Sequence, residues 1–160
     1  MSQVDHVEQT ATPRGLGGWL ILPIIGLFTT PFLGVLNLGQ VLPNLQNLSY
    51  FNGLQGGFIV VETIVNGALR LIAPIALLVL LFGKRRQFPR LYKLFLGFNL
   101  AWVVFDLLAA YVLFQQIYAS GQVAFWDRET IRSLVQAAVG TAIWIPYMSV
   151  SVRVRNTFVN

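Results

Sequence analysis

The chain has 160 residues, 56% of them hydrophobic and only 11% charged, with a net charge of +5, a pI of about 10.1 and a mean hydropathy of +0.66. A typical soluble domain carries about 25% charged residues, and a core of this size cannot hide so many apolar side chains. One domain with the bilayer as its solvent is therefore expected. The absence of cysteine excludes thiolate chemistry, disulfides and Cys-based metal sites.

Residues 1–14 read as a flexible polar tail, which contains the only histidine, His6. The apolar run after Arg14 is too long for a signal peptide and ends without a small-residue cleavage site, so it reads as a retained anchor. This first span covers about 18–42. Pro23, Gly26, Thr30, Gly34 and Asn37 share one arc of it, and Gly26, Thr30 and Gly34 form a small-residue seam for close helix approach. Pro23 and Pro31 each remove a helical hydrogen bond, which reads as a bend in a packing face rather than a broken helix. Pro43 to Gly57 is uncharged and rich in Asn, Gln and Gly, and is expected to be a loop.

The second span covers about 58–82. Glu62, Asn66 and Arg70 follow one another at four-residue steps, which places them on one helical face. Pro74 frees the carbonyl of Arg70, so a local kink is expected there. The connection from Gly83 to Lys93 carries Lys84, Arg85, Arg86, Arg90 and Lys93 and no acid. A short loop this basic reads as a cytoplasmic topology determinant, and secondarily as a contact for anionic lipid headgroups.

The third span, about 91–115, has Asn99 and Asp106 seven residues apart on one face, with Trp102 beside them. Tyr118 to Thr130 reads as a second outer loop, with Asp127 placed to cap a helix starting at Arg128. The fourth span covers about 131–152. Its stripe of Ser133, Gln136, Gly140, Trp144, Tyr147 and Ser151 is expected to face the other helices.

The cations sort by side. Arg14, the five basic residues of the central loop, Arg153 and Arg155 fall on one side, and Arg128 and Arg132 on the other. An all-α, four-helix transmembrane bundle with both termini cytoplasmic satisfies this asymmetry. The same sorting assigns the positive charge to membrane orientation and not to nucleic acid.

The polar residues within the spans carry the functional question. Arg70 lies twelve residues from Phe82 and Asp106 twelve from Leu94, each roughly 18 Å from the cytoplasmic edge. In a core about 30 Å thick both sit slightly beyond the midplane. A buried Arg70–Asp106 ion pair is therefore expected, with Asn66 as a bridge and Glu62 nearer to water. Asn99 below Asp106, and Gln136 on the fourth span, extend the cluster into a polar track. It reads first as a structural clasp, and second as a solute path or ligand pocket. A clasp requires a dry, fully paired site, whereas a pathway requires a solvated cavity reaching Arg70 and Asp106.

Enzymatic chemistry is not expected. The spans hold no His, Cys or Lys, so no Ser–His pair exists within the membrane. No clustered metal ligands and no phosphate-cradling loop are present, and no cofactor is implied.

Two segments are distinctive together: Gly17-Gly18-Trp19-Leu20-Ile21-Leu22-Pro23 at the first span, and Ile143-Trp144-Ile145-Pro146-Tyr147 with its exit Ser151-Val152-Arg153-Val154-Arg155-Asn156-Thr157-Phe158. They resemble a bacterial family of small four-helix inner-membrane proteins known as domain of unknown function 2569, over roughly Gly15 to Phe158. The exit departs mildly from the basic Ser-x-Arg-Val-Lys form expected of that family. The resemblance implies a multi-pass protein of the bacterial inner membrane and transfers no site residues.

A non-enzymatic accessory, scaffold or assembly role is the leading expectation, with a membrane-protein partner or a homo-oligomer. A small transporter or channel is the alternative. Cysteines placed at Ser49 and Arg86 test the orientation: a membrane-impermeant thiol reagent is expected to label them from opposite sides. Labelling of both from outside refutes it.

Overall fold

A computed structural model describes residues 15–121 and 124–159. The expectations for the tail 1–14, and for the side chain of Asn37, lie outside the described parts. A short 3₁₀ turn, Gly18–Leu20, leads into α1, Ile21–Gln46. The second span is one continuous rod built of α2, Gly53–Gly67, a π-helical segment, Ala68–Ile72, and α3, Ala73–Phe82. Then follow α4, Phe88–Leu113; the short α5, Gln115–Ala119; α6, Arg128–Val150; and α7, Val152–Thr157. Among the described residues four helices are long and apolar enough to cross a membrane: Gly18–Leu36, Gly53–Phe82, Phe88–Leu113 and Arg128–Val150.

The outer connection between the first two spans is shorter than the sequence suggested. The helix of the first span runs on through Pro43 to Gln46, and α2 begins at Gly53, inside the expected loop. Asn52 is the cause. Its side chain accepts from the Gln55 N–H at 2.9 Å, while the Gln55 side chain accepts from the Asn52 N–H at 3.3 Å. This is a capping box, which satisfies two helix-end donors at once. Asp127 caps α6 as expected, accepting from the Thr130 N–H at 2.7 Å.

The prolines behave differently from one another. α1 passes through Pro23 and Pro31, and α6 through Pro146, as unbroken α-helix. Only Pro74 is preceded by a wide turn, in which the Ala73 N–H reaches back five residues to the Ala68 carbonyl. Pro74 has no N–H for the Arg70 carbonyl and its ring crowds that group. The ladder relaxes into a π-turn centred on Arg70, a form that recurs at functional sites.

α1 packs along the π segment and α3, and α4 packs along α6. The two pairs join where α3 meets α4 across the tight basic turn. That turn is a Schellman closure: Arg85 N–H bonds to the Leu80 carbonyl and Lys84 N–H to that of Leu81, both at 3.0 Å. Lys84 takes the left-handed position, with φ 48°. Because α4 starts at Phe88, Arg90 and Lys93 belong to its first two turns, and Lys93 donates to the Ser149 hydroxyl of α6 at 3.2 Å.

The buried apolar residues collect at this basic end. Leu20, Leu27, Leu77, Leu81, Phe88 and Phe158 form one cluster with Tyr92, Met148 and Val154. Phe88 stacks between Phe158, at 4.8 Å, and Tyr92, at 5.5 Å. The two distinctive end segments meet here. The Thr157 hydroxyl accepts from the Gly15 N–H at 3.0 Å and donates to the Arg153 carbonyl at 2.7 Å. Arg153 lies over Gly17 and Gly18; at Gly18, where φ is +64°, a Cβ would come within 3.2 Å of the guanidinium carbon. Both ends of the described chain are thus fastened into one layer.

The expected seam on α1 is used at one position. A Cβ on Gly34 would lie 3.0 Å from Leu71 Cδ2, 3.2 Å from Arg70 Cβ and 3.4 Å from the Arg70 carbonyl oxygen. A Cβ on Gly26 would meet nothing within 4 Å, and the Thr30 hydroxyl bonds back to the Gly26 carbonyl at 2.7 Å. Gly34 lets the α1 backbone come close to the π-turn. Gly34→Val is therefore expected to destabilise the protein by about 1–3 kcal/mol through overpacking. Gly26→Ala is expected to be neutral or to gain up to about 1 kcal/mol from helix propensity. Unfolding of both variants in detergent checks the contrast.

Candidate functional site

At the end opposite the basic layer the bundle opens into a cavity of about 810 Å³. Its floor is Gly34, Arg70 and Leu71, at the π-turn. Glu62, Thr63 and Asn66 of α2 form one wall, and Trp102, Asp106 and Ala110 of α4 the other. Asp127, Glu129, Thr130 and Ser133, at the start of α6, reach its rim. The walls stand apart because α2 and α4 touch only sparsely. Near the outer tip they are tied by Gln55 Nε2, which donates to the Leu113 carbonyl at 2.8 Å. Phe114 packs on Phe51 and Phe58 there, with ring centroids 6.0 and 6.3 Å apart.

The polar side chains form a partial network. Trp102 Nε1–H donates to Asn66 Oδ1 at 3.3 Å, and Asn66 Nδ2–H donates to Glu62 Oε1 at 3.4 Å. Asn66 therefore bridges Glu62 to Trp102, not to Arg70. The expected Arg70–Asp106 ion pair is not closed among the described residues. The two groups share the cavity and lie within electrostatic range, but Asp106 Oδ1 is buried without a hydrogen-bond partner. The Arg70 side chain is exposed to the open floor.

The sequence assigned Glu62 to a wetter level than Arg70 and Asp106. The cavity instead spans all these depths and gathers Glu62, Asn66, Arg70 and Asp106 together. Asn99 and Gln136 do not line it. Asn99 is partly buried one level closer to the basic end, and Gln136 is exposed. The face of α6 turned to α4 carries Ala137 and Thr141, whose hydroxyl donates to the Leu96 carbonyl at 3.3 Å, and this rotation leaves Gln136 outside. The polar track is therefore a blind cavity, closed at the basic end by the apolar cluster. The basic-loop residues Lys84, Arg85, Arg86 and Arg90 are exposed at that far end.

Aromatic side chains gather at this end of the bundle. Tyr111 and Tyr118 pack edge-on against Phe125, with centroids 5.0 and 5.2 Å apart, and Phe125 packs against Trp126 at 5.1 Å. Burial pushes the Tyr118 phenol above its ordinary pKa, and the carboxylates of Asp106, Asp127 and Glu62 act in the same direction. At the rim the Thr130 hydroxyl and backbone N–H hold the Asp127 carboxyl below the usual carboxylate range. Its cap on α6 is therefore fully present above the ordinary carboxylate pKa and is lost only as the pH falls through the depressed value.

An unpartnered buried carboxylate oxygen lowers stability. Asp106→Leu is therefore expected to raise stability in detergent by about 1–3 kcal/mol, the behaviour of a group kept for binding. A loss of stability would instead assign Asp106 to a structural clasp.

No curated protein and no solved structure is similar to the chain. A family model described as "Protein of unknown function (DUF2569)" matches residues 13–159. This match covers both end segments, all four spans and the cavity between them, and the chain belongs to that family.

Proposed function

We propose that this membrane protein is a non-enzymatic solute-binding protein of the small-transporter type, with its site in the cavity between the second and third spans. The observation that carries the reading is that cavity, reaching Arg70 and Asp106 within the spans without an ion pair closing them off. Its volume falls within the range of about 300–1,000 Å³ usual for small-molecule sites. The π-turn at Arg70 supports the same reading, because interrupted helices recur where transporters bind their substrates. On this reading the positive charge marks the basic layer as the cytoplasmic side, and the cavity faces outward; the family resemblance implies that the membrane is a bacterial inner membrane.

The accessory or scaffold role is the second reading. The broad exposed apolar faces of α4 and α6, among them Phe98, Val104, Leu108, Val135 and Val139, favour it. They suit a membrane-protein partner or a second copy as well as lipid.

Accessibility tests the first reading in this cysteine-free chain. Thr63→Cys and Ser133→Cys are expected to react with a charged, impermeant thiol reagent applied from the side opposite the basic loop. Val104→Cys, on the exposed face of α4, is expected to stay unlabelled in the membrane. An inert Thr63→Cys in folded protein would refute the solvated cavity and favour the scaffold.

A further inference from the structure

The lining of the cavity is unbalanced in charge. Glu62 and Asp106 within the spans and Asp127 and Glu129 at the rim supply four carboxylates to the lining, and Arg70 is its one cation among the described residues; Arg128 and Arg132, exposed beside the two rim acids, are not part of the lining. A small anion drawn by Arg70 would have to pass all four acids, and like-charge juxtaposition disfavours it. The rim and upper walls are aromatic, with Phe51, Phe58, Phe114, Tyr118 and Phe125 around the mouth and Trp102 deeper in. Aromatic faces attract cations, most strongly where water is scarce.

The hydrogen bonds supply an independent indication. Asn66 and Trp102 occupy one another and Glu62, whereas Asp106 Oδ1 accepts from nothing. A buried carboxylate oxygen left open in a membrane span calls for a donor, and a charged N–H donor bonds it most strongly. Arg70, on the floor, does not supply that donor.

We propose that the ligand of this cavity is a small protonated amine carrying an apolar or aromatic body, with its ammonium held by Asp106 and Glu62 and its body among the rim aromatics. The proposal rests on the solute-binding reading above and names the chemical class. If the amine also bears a carboxylate, Arg70 is the group placed to meet it. A simple amine and a zwitterion thus share the ammonium site and differ only in their need for Arg70.

The test uses the purified full-length protein in lipid nanodiscs at neutral pH, with three probes that share one ring: phenethylamine, phenylalanine and phenylpropionate. Binding is read by calorimetry and by protection of Thr63→Cys from a thiol reagent. Phenethylamine or phenylalanine is expected to bind and protect, and phenylpropionate to do neither. Asp106→Asn is expected to weaken amine binding at least about tenfold, and Glu62→Gln to weaken it less. Should Asp106→Asn fail to fold, Glu62→Gln and the wild-type order of the probes still decide. Arg70→Gln is expected to weaken phenylalanine selectively if the ligand is a zwitterion, and to strengthen phenethylamine, whose ammonium no longer shares the cavity with a cation. The proposal is overturned if phenylpropionate binds as well as the amines, if amine binding survives both acid substitutions, or if none of the probes binds while Thr63→Cys still reacts. In that last case the cavity stands and only the ligand class fails; an inert Thr63→Cys removes the cavity itself.

Discussion

Pro74 cannot donate to the carbonyl of Arg70, and the architecture of the bundle follows from how that loss is absorbed. In hydrocarbon an unsatisfied backbone group costs several kcal/mol, so the chain must reroute its ladder or kink. Here the preceding turn widens, and the Ala73 N–H reaches Ala68. The widened turn carries Arg70 and rests against α1 at Gly34, which has no side chain to hold it off. A cation within the membrane is thereby seated on a locally irregular, firmly backed piece of backbone. Beyond that floor α2 and α4 diverge enough for a polar cavity.

The two ends of the molecule follow different physics. Within the bilayer, apolar side chains gain little by burial, because lipid is as apolar as they are. At the basic end, near water, the hydrophobic effect acts again, and Phe88, Phe158, Leu20 and Leu81 are almost fully buried there. The Thr157–Gly15 bonds and the seating of Arg153 over Gly17 and Gly18 lock that layer. With stability concentrated at one end, the other end can stay open and hold unpaired polar groups, which sites of binding generally require. The segments that carried the family resemblance are the ones that build the locked layer, so they report on assembly and not on the cavity.

Much of the local structure was legible. Hydropathy located four spans, Asp127 announced the start of α6, and Pro74 marked the disturbance at Arg70. The capping box at Asn52 was present as an Asn-x-x-Gln pattern, a variant of the familiar Ser/Thr-x-x-Glu form. It was overlooked because the surrounding Gly and Asn read as loop. The four-residue spacing that linked Gly26, Thr30 and Gly34 is a property of a single helix. It could not say that, of Gly26 and Gly34, only the second meets a neighbour closely. Asn99 and Gln136 fell away from the cluster for the same reason, since the rotation of α4 and α6 about their axes depends on the partner each meets.

The sequence by itself determined the solvent, the number of spans and which residues would be out of place in lipid. Those properties follow from transfer free energies and from backbone hydrogen bonding, both of which act residue by residue along one chain. Whether Arg70 and Asp106 would close into a pair, or stand apart in an open cavity, was decided by tertiary structure alone. Matched depth on two helices is necessary for an ion pair, but the gap between the helices is set elsewhere. It depends on Gly34 against the π-turn, on the Gln55–Leu113 tie and on the apolar layer at the far end. The polar stretch in the second span thus marked the right residues, and the spacing of the surrounding helices made them the wall and floor of a cavity.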